Sequence, residues 1–238
     1  MVRHAIPNIG DTMTAGERIA VALDVPELTE AEELARRLAG HVGWFKVGLE
    51  LFSAHGPEAV RTIRKHGPVF LDVKLHDIPT TVARAARRLA DLDVGLLTVH
   101  ASGGPAMVAA AADGLGSTAR VLAVTVLTSL SRTDVAAIGL AEPDAAAHLA
   151  RLAVDSGAGG VVCAPDQATM VRDAVGSAPW IVTPGVRPQG SDDDDHASVA
   201  TPAEAIAAGA DLLVIGRPIT RADDPVAAAD DIAASLAR

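Results

Sequence analysis

Cysteine is nearly absent. The 238-residue chain has one, Cys163, so no internal disulfide can form. It sits in the apolar run Gly160–Ala164, reads as a small buried side chain, and suits a reducing, cytoplasmic setting. No stretch has the length and apolarity of a membrane span, so no membrane partner is expected. Residues 1–17 lack the basic start and apolar core of a signal peptide; they read as a poorly ordered leader, with Met13 a candidate start. Positive charge is in deficit too. The formal net charge of -10 argues against a nucleic-acid partner. It leaves room for a small anion, which a few Arg and backbone N–H groups can hold. Nor does a G-x-G-x-x-G follow the first apolar run, which counts against an open, doubly wound sheet.

What is present is one pattern, repeated. Apolar runs of strand length fall at Ile19–Leu23, Trp44–Val47, Val69–Val73, Leu96–Val99, Val121–Val126, Val161–Ala164, Trp180–Val182 and Leu212–Ile215. Between them lie stretches with helical spacing, such as Glu30–Leu38, Pro57–Arg64, Val82–Ala90 and Ala145–Ala153, with an extra helix at Arg132–Ile138. Strands that are apolar throughout are buried on both faces, the mark of a parallel sheet. Strands alternating with helices imply right-handed βαβ units. Eight units predict a single (β/α)8 TIM barrel over residues 18–238, with Gly40, Gly67, Gly157 and Gly209 ending helices.

Chemistry in such a barrel gathers at the C-terminal ends of the strands. The most informative stretch is Phe70–Thr81, where Asp72, Lys74 and Asp77 follow an apolar run. Residues two apart on a strand share a face, so Asp72 and Lys74 project together, while Asp77 falls beyond the strand near Pro79. Such a pair can be a plain ion pair closing a strand end. Yet Asp24, Lys46, His100 and Thr128 stand at other strand ends, and so much charge converging on one mouth implies use. After the last two strands come Thr183-Pro184-Gly185-Val186-Arg187 and Gly216-Arg217-Pro218. Barrels often hold phosphate there, and Arg187 and Arg217 can each offer a forked pair of donors beside a close-approaching Gly216. The acidic segment Gln189–His196 reads equally as a solvated loop or as a lid.

Assembled in order, Ala22-Leu23-Asp24, Lys46-Val47-Gly48, Asp72 to Thr81, Leu127-Thr128-Ser129, Thr183 to Arg187 and Ile215-Gly216-Arg217 resemble the orotidine 5′-phosphate decarboxylase family. The likeness runs from Ile19 to Leu236. Its D-x-K-x-x-D core is shared with a sister group of sugar-phosphate decarboxylases and aldolases. The resemblance implies cofactor-free decarboxylation of orotidine 5′-phosphate to UMP, the last step of de novo pyrimidine nucleotide synthesis. It implies that Asp24 and Lys46 bind ribose hydroxyls, with Lys46 also in the charge network. Asp72 would lie against the substrate carboxylate and Lys74 would protonate C6. Asp77, Ile78 and Thr81 would reach the partner's site in an obligate homodimer. Thr128 would contact the pyrimidine, Pro184 would line the substrate, and Arg187, Gly216 and Arg217 would hold the phosphate. Two positions depart from the family pattern: Thr80 stands for Asn, and His196 for a closing-loop Gln whose amide it cannot fully replace.

The residues suit that chemistry. Loss of CO2 from C6 leaves a carbanion without a conjugated sink, so the site must supply both charge stabilisation and a proton. An ammonium held between carboxylates can do both. A metal-dependent sugar-phosphate lyase or epimerase on the same barrel is the nearest alternative, but Lys46 puts a cation where the metal would bind. A barrel that only binds nucleotide is the other, and it has no need of an acid at Lys74.

Overall fold

The computed structural model describes residues 13–140, 142–188 and 200–236. Its strands are β1 (Ile19–Ala22), β2 (Trp44–Val47), β3 (Val69–Leu75), β4 (Leu96–His100), β5 (Arg120–Val124), β6 (Gly160–Val162), β7 (Trp180–Thr183) and β8 (Leu212–Ile215). All pair in parallel with their sequence neighbours, and β1 closes onto β8 with Ile19 opposite Leu213. The expected (β/α)8 barrel is present.

Alternation along each strand divides the core in two. Ala20, Trp44, Phe70, Leu96, Leu122, Val162, Trp180 and Leu212 fill the barrel. Val21, Phe45, Leu71, Leu97, Val161, Ile181 and Leu213 face the helical ring. Both sets are buried, which is why the strands read as unbroken apolar runs; each large side chain so buried contributes roughly 1.5–3 kcal/mol. At the N-terminal end, Trp44 and Trp180 meet edge to face at 6.1 Å, forming a floor. Gly160 makes this possible: a Cβ there would lie 2.6 Å from the Trp180 carbonyl oxygen and 2.8 Å from Leu122.

Among the described residues the ring holds eleven α-helices rather than eight. They are α1 (Leu28–Leu38), α2 (Leu49–His55), α3 (Pro57–Ile63), α4 (Pro79–Ala90), α5 (Pro105–Leu115), α6 (Arg132–Ala137), α7 (Ala145–Asp155), α8 (Ala168–Val175), α9 (Pro202–Ala207), α10 (Arg217–Thr220) and α11 (Pro225–Leu236). The crossover after β2 is split at Gly56, whose φ of 57° stops α2 and lets Pro57 start α3. The extra helix expected after β5 is α6, fastened by a Ser131–Asp134 capping box. Gly40, Gly157 and Gly209 do end helices at positive φ. Gly67 serves another purpose, since a Cβ there would press to 2.9 Å on the Phe45 ring. Of the expected leader, residues 1–12 lie outside the described residues, as does Gln189–His196. Residues 16–18 form a 3-10 turn, and Gly43 N–H bonds the Gly16 and Ile19 carbonyls.

Candidate active site

The chemistry centres on an irregularity in β3. The strand runs two residues past the expected end at Val73, to Leu75. Leu71 pairs with Leu97 but Leu75 pairs with Val99, so Asp72, Val73 and Lys74 stand opposite the single residue Thr98. Lys74 takes φ +49°, a conformation costly for a residue with a Cβ and held only by surrounding contacts. Asp72 and Lys74 do come together, but through this distortion rather than through a regular pleat.

The Lys74 ammonium donates to Asp72 Oδ1 at 2.9 Å and Oδ2 at 3.0 Å. From the neighbouring strand, the buried Lys46 reaches Asp24 Oδ1 at 2.9 Å and Asp72 Oδ2 at 3.7 Å. Asp24, just beyond β1, Lys46 on β2, and Asp72 and Lys74 on β3 thus alternate in sign across the mouth. Gly48 clears space for this row, since a Cβ there would sit 2.7 Å from Asp24 Oδ1 and 3.0 Å from Lys46 Nζ. Burial pushes the Asp72 carboxyl up. The charges of Lys46 and Lys74, with hydrogen bonds from Lys74 and Thr98, outweigh it and hold the group below the usual carboxylate range. His100 moves the other way from a cation's preference. Burial, then repulsion from His76 and Lys74, lowers its pKa against the pull of Asp72; the two imidazoles lie 5.3 Å apart.

A cavity of about 520 Å³ opens above this row, lined by Asp24, Lys46, Asp72, Lys74, Thr128, Pro184, Gly216 and Arg217 among others. Eight of the residues singled out in the sequence therefore share one mouth. Asp77, Ile78 and Thr81 do not join them; they are exposed around the start of α4, with Ile78 66% exposed. Arg187 is absent from the lining and stands where the acidic loop begins. A bridge pairs Val186 with Ala200, and Arg187 N–H donates to the Ala200 carbonyl at 3.1 Å, so the loop's two ends are fastened together. His196 lies outside the described residues. No group of three or more His, Cys, Asp or Glu side chains is arranged to hold a metal among the described residues. The space between Asp24 and Asp72 is filled by the Lys46 ammonium.

One residue escaped the sequence reading. Thr98 accepts the Lys74 backbone N–H and donates to Asp72 Oδ1, each at 2.9 Å. Its signal was the alternation of β4, which turns Leu96, Thr98 and His100 inward together.

A family model described as "Orotidine 5′-phosphate decarboxylase / HUMPS family" matches residues 17–232. A relative from Anaeromyxobacter sp. (strain K), named orotidine 5′-phosphate decarboxylase, is 58% identical over 227 residues, covering 94% of this chain and 100% of its own. A protein of the same name from Thermobifida fusca is 54% identical over 222 residues, covering 92% of this chain and 95% of its own. The crystal structure of orotidine 5′-phosphate decarboxylase from Lactobacillus acidophilus superposes with a TM-score of 0.80 at 36% identity, covering 93% and 100% of the two chains.

Proposed function

The chain belongs to the orotidine 5′-phosphate decarboxylase / HUMPS family, and we propose that it converts orotidine 5′-phosphate to UMP and CO2 without a cofactor. The observation that carries this reading is the alternating row Asp24–Lys46–Asp72–Lys74 at the base of the mouth. The C6–carboxylate bond breaks, CO2 leaves, and the electron pair stays on C6. The Lys74 ammonium, already fixed by Asp72, offers both a positive charge beside that pair and the proton that quenches it. Asp72, ionised and unable to move away, would face the substrate carboxylate. The ribose hydroxyls fall to Asp24 and Lys46, and the pyrimidine to Thr128. The phosphate falls to Gly216, Arg217 and Arg187, with Pro184 lining the substrate. Binding energy from that distant phosphate offsets the cost of bringing carboxylate to carboxylate.

The reading includes a homodimer with shared sites. Exposed Ile78, beside Asp77 and Thr81, and exposed Leu49 at the start of α2 give apolar surface suited to a second copy. It also includes a cytoplasmic place of work, which the free, buried Cys163 supports. His196 would close on the ligand from the acidic loop. Among sister activities of the family, metal-dependent lyase chemistry is disfavoured by Lys46, whose ammonium stands between the two carboxylates that would hold the ion.

The test is direct: purified protein should consume orotidine 5′-phosphate, followed by its absorbance, at the same rate before and after exhaustive EDTA treatment. No turnover would refute the decarboxylase reading, and EDTA-sensitive turnover would move the chain to the metal-dependent branch.

A further inference from the structure

Thr98 is almost fully buried, at 1% exposure, between Leu96 and His100 on the inner face of β4. Its hydroxyl has one proton and two lone pairs, and the structure uses both kinds of capacity. The proton goes to Asp72 Oδ1, and a lone pair takes the Lys74 backbone N–H. Register explains why a side chain is needed. Three residues of β3 face one residue of β4, so a regular ladder has no β4 carbonyl to offer Lys74, and the Thr98 hydroxyl stands in for it. The same hydrogen bond fixes the left-handed backbone from which the Lys74 side chain returns to Asp72.

We propose that Thr98 is a positioning residue for proton delivery: one hydroxyl clamps the backbone of the proton donor and the carboxylate that aims it. The inference rests on the decarboxylase reading of the site. Thr98 acts through Lys74 and Asp72 and does not itself reach the reacting atoms. Valine matches threonine in shape but offers neither donor nor acceptor, whereas serine offers both.

Thr98→Val should therefore lower kcat roughly tenfold to a hundredfold, the scale of an ångström-sized misplacement of a reacting group, with KM changed less than threefold. Thr98→Ser should return kcat to within threefold of wild type. A crystal structure of Thr98→Val should show the Lys74 ammonium displaced from Asp72 or the Lys74 backbone returned to negative φ. A Thr98→Val enzyme within twofold of wild-type kcat, a Thr98→Ser enzyme as impaired as Thr98→Val, or an unchanged Lys74 geometry would each overturn the proposal. If Thr98→Val does not fold, Thr98→Ala takes its place in the same comparison with serine. If the wild-type chain fails to decarboxylate, the functional reading falls, and the crystallographic comparison still decides whether Thr98 sets the Lys74 backbone.

Discussion

The carboxylate of Asp77 accepts the backbone N–H of Ile78 at 2.7 Å and, among the described residues, forms no ion pair with Lys74 of its own chain. It is exposed on the turn leading into α4, five residues after the Asp72 that Lys74 does hold. A shared site predicts complementation. Mixing inactive Lys74→Ala chains with inactive Asp77→Ala chains should restore about one quarter of wild-type activity, because half of randomly paired dimers are mixed and each has one intact site. Exchange of subunits without any return of activity would show that Asp77 serves its own chain or none.

Lys74→Ala removes the proposed acid, whose ammonium bonds Asp72, and leaves the backbone N–H that Thr98 accepts. Turnover should fall below detection while the folded barrel and UMP binding persist. The check is a kinetic assay alongside calorimetric titration with UMP. Turnover near that of wild type would remove Lys74 from the reaction.

Asp72 links this site to stability. Its folded-state pKa is lowered by Lys46 and Lys74 despite burial, so the ionised form is favoured by folding. That contribution is fully present above the ordinary carboxylate range and is lost as pH falls through the lower folded-state value. Asp72→Asn lacks it at every pH. The stability difference between wild type and Asp72→Asn, read from urea unfolding, should therefore shift against wild type as pH falls from 7 to 3. A difference independent of pH would contradict the ionised Asp72 described above.

Arg217 opens α10 directly after Gly216 and lines the mouth. Arg217→Ala should weaken UMP binding by roughly 2–3 kcal/mol, the scale of a charge-assisted hydrogen bond left unmade. Uridine, which has no phosphate, should bind nearly as before. Equal losses for both ligands would place Arg217 outside the phosphate site.

Much of this was legible in the sequence for a physical reason. A strand buried on both faces has to be apolar throughout, so a Lys or Asp at its end is conspicuous. That is how Asp24, Lys46, Asp72 and Lys74 stood out. What could not be read was backbone geometry that composition does not encode. Nothing in Leu71-Asp72-Val73-Lys74 announces two extra residues in the ladder or a positive φ at Lys74. Thr98 was hidden because threonine is an ordinary strand residue; its meaning depends on which β3 atoms face it. The split at Gly56 was missed since Gly-Pro marks a turn equally between a loop and a helix and between two helices. Asp77, Ile78 and Thr81 mark the opposite limit, for the contribution to a second chain proposed for them leaves no trace in the fold of one.

The floor of the barrel decides how this protein can be watched. Trp44 and Trp180 are the chain's two tryptophans, they touch there, and the chain has no tyrosine. Nearly all intrinsic fluorescence is therefore emitted from one spot, at the opposite end from the mouth. Emission will register the ring of strands coming apart and stay silent while ligands come and go, so occupancy has to be followed by the nucleotide's own absorbance or by a dye placed at the rim.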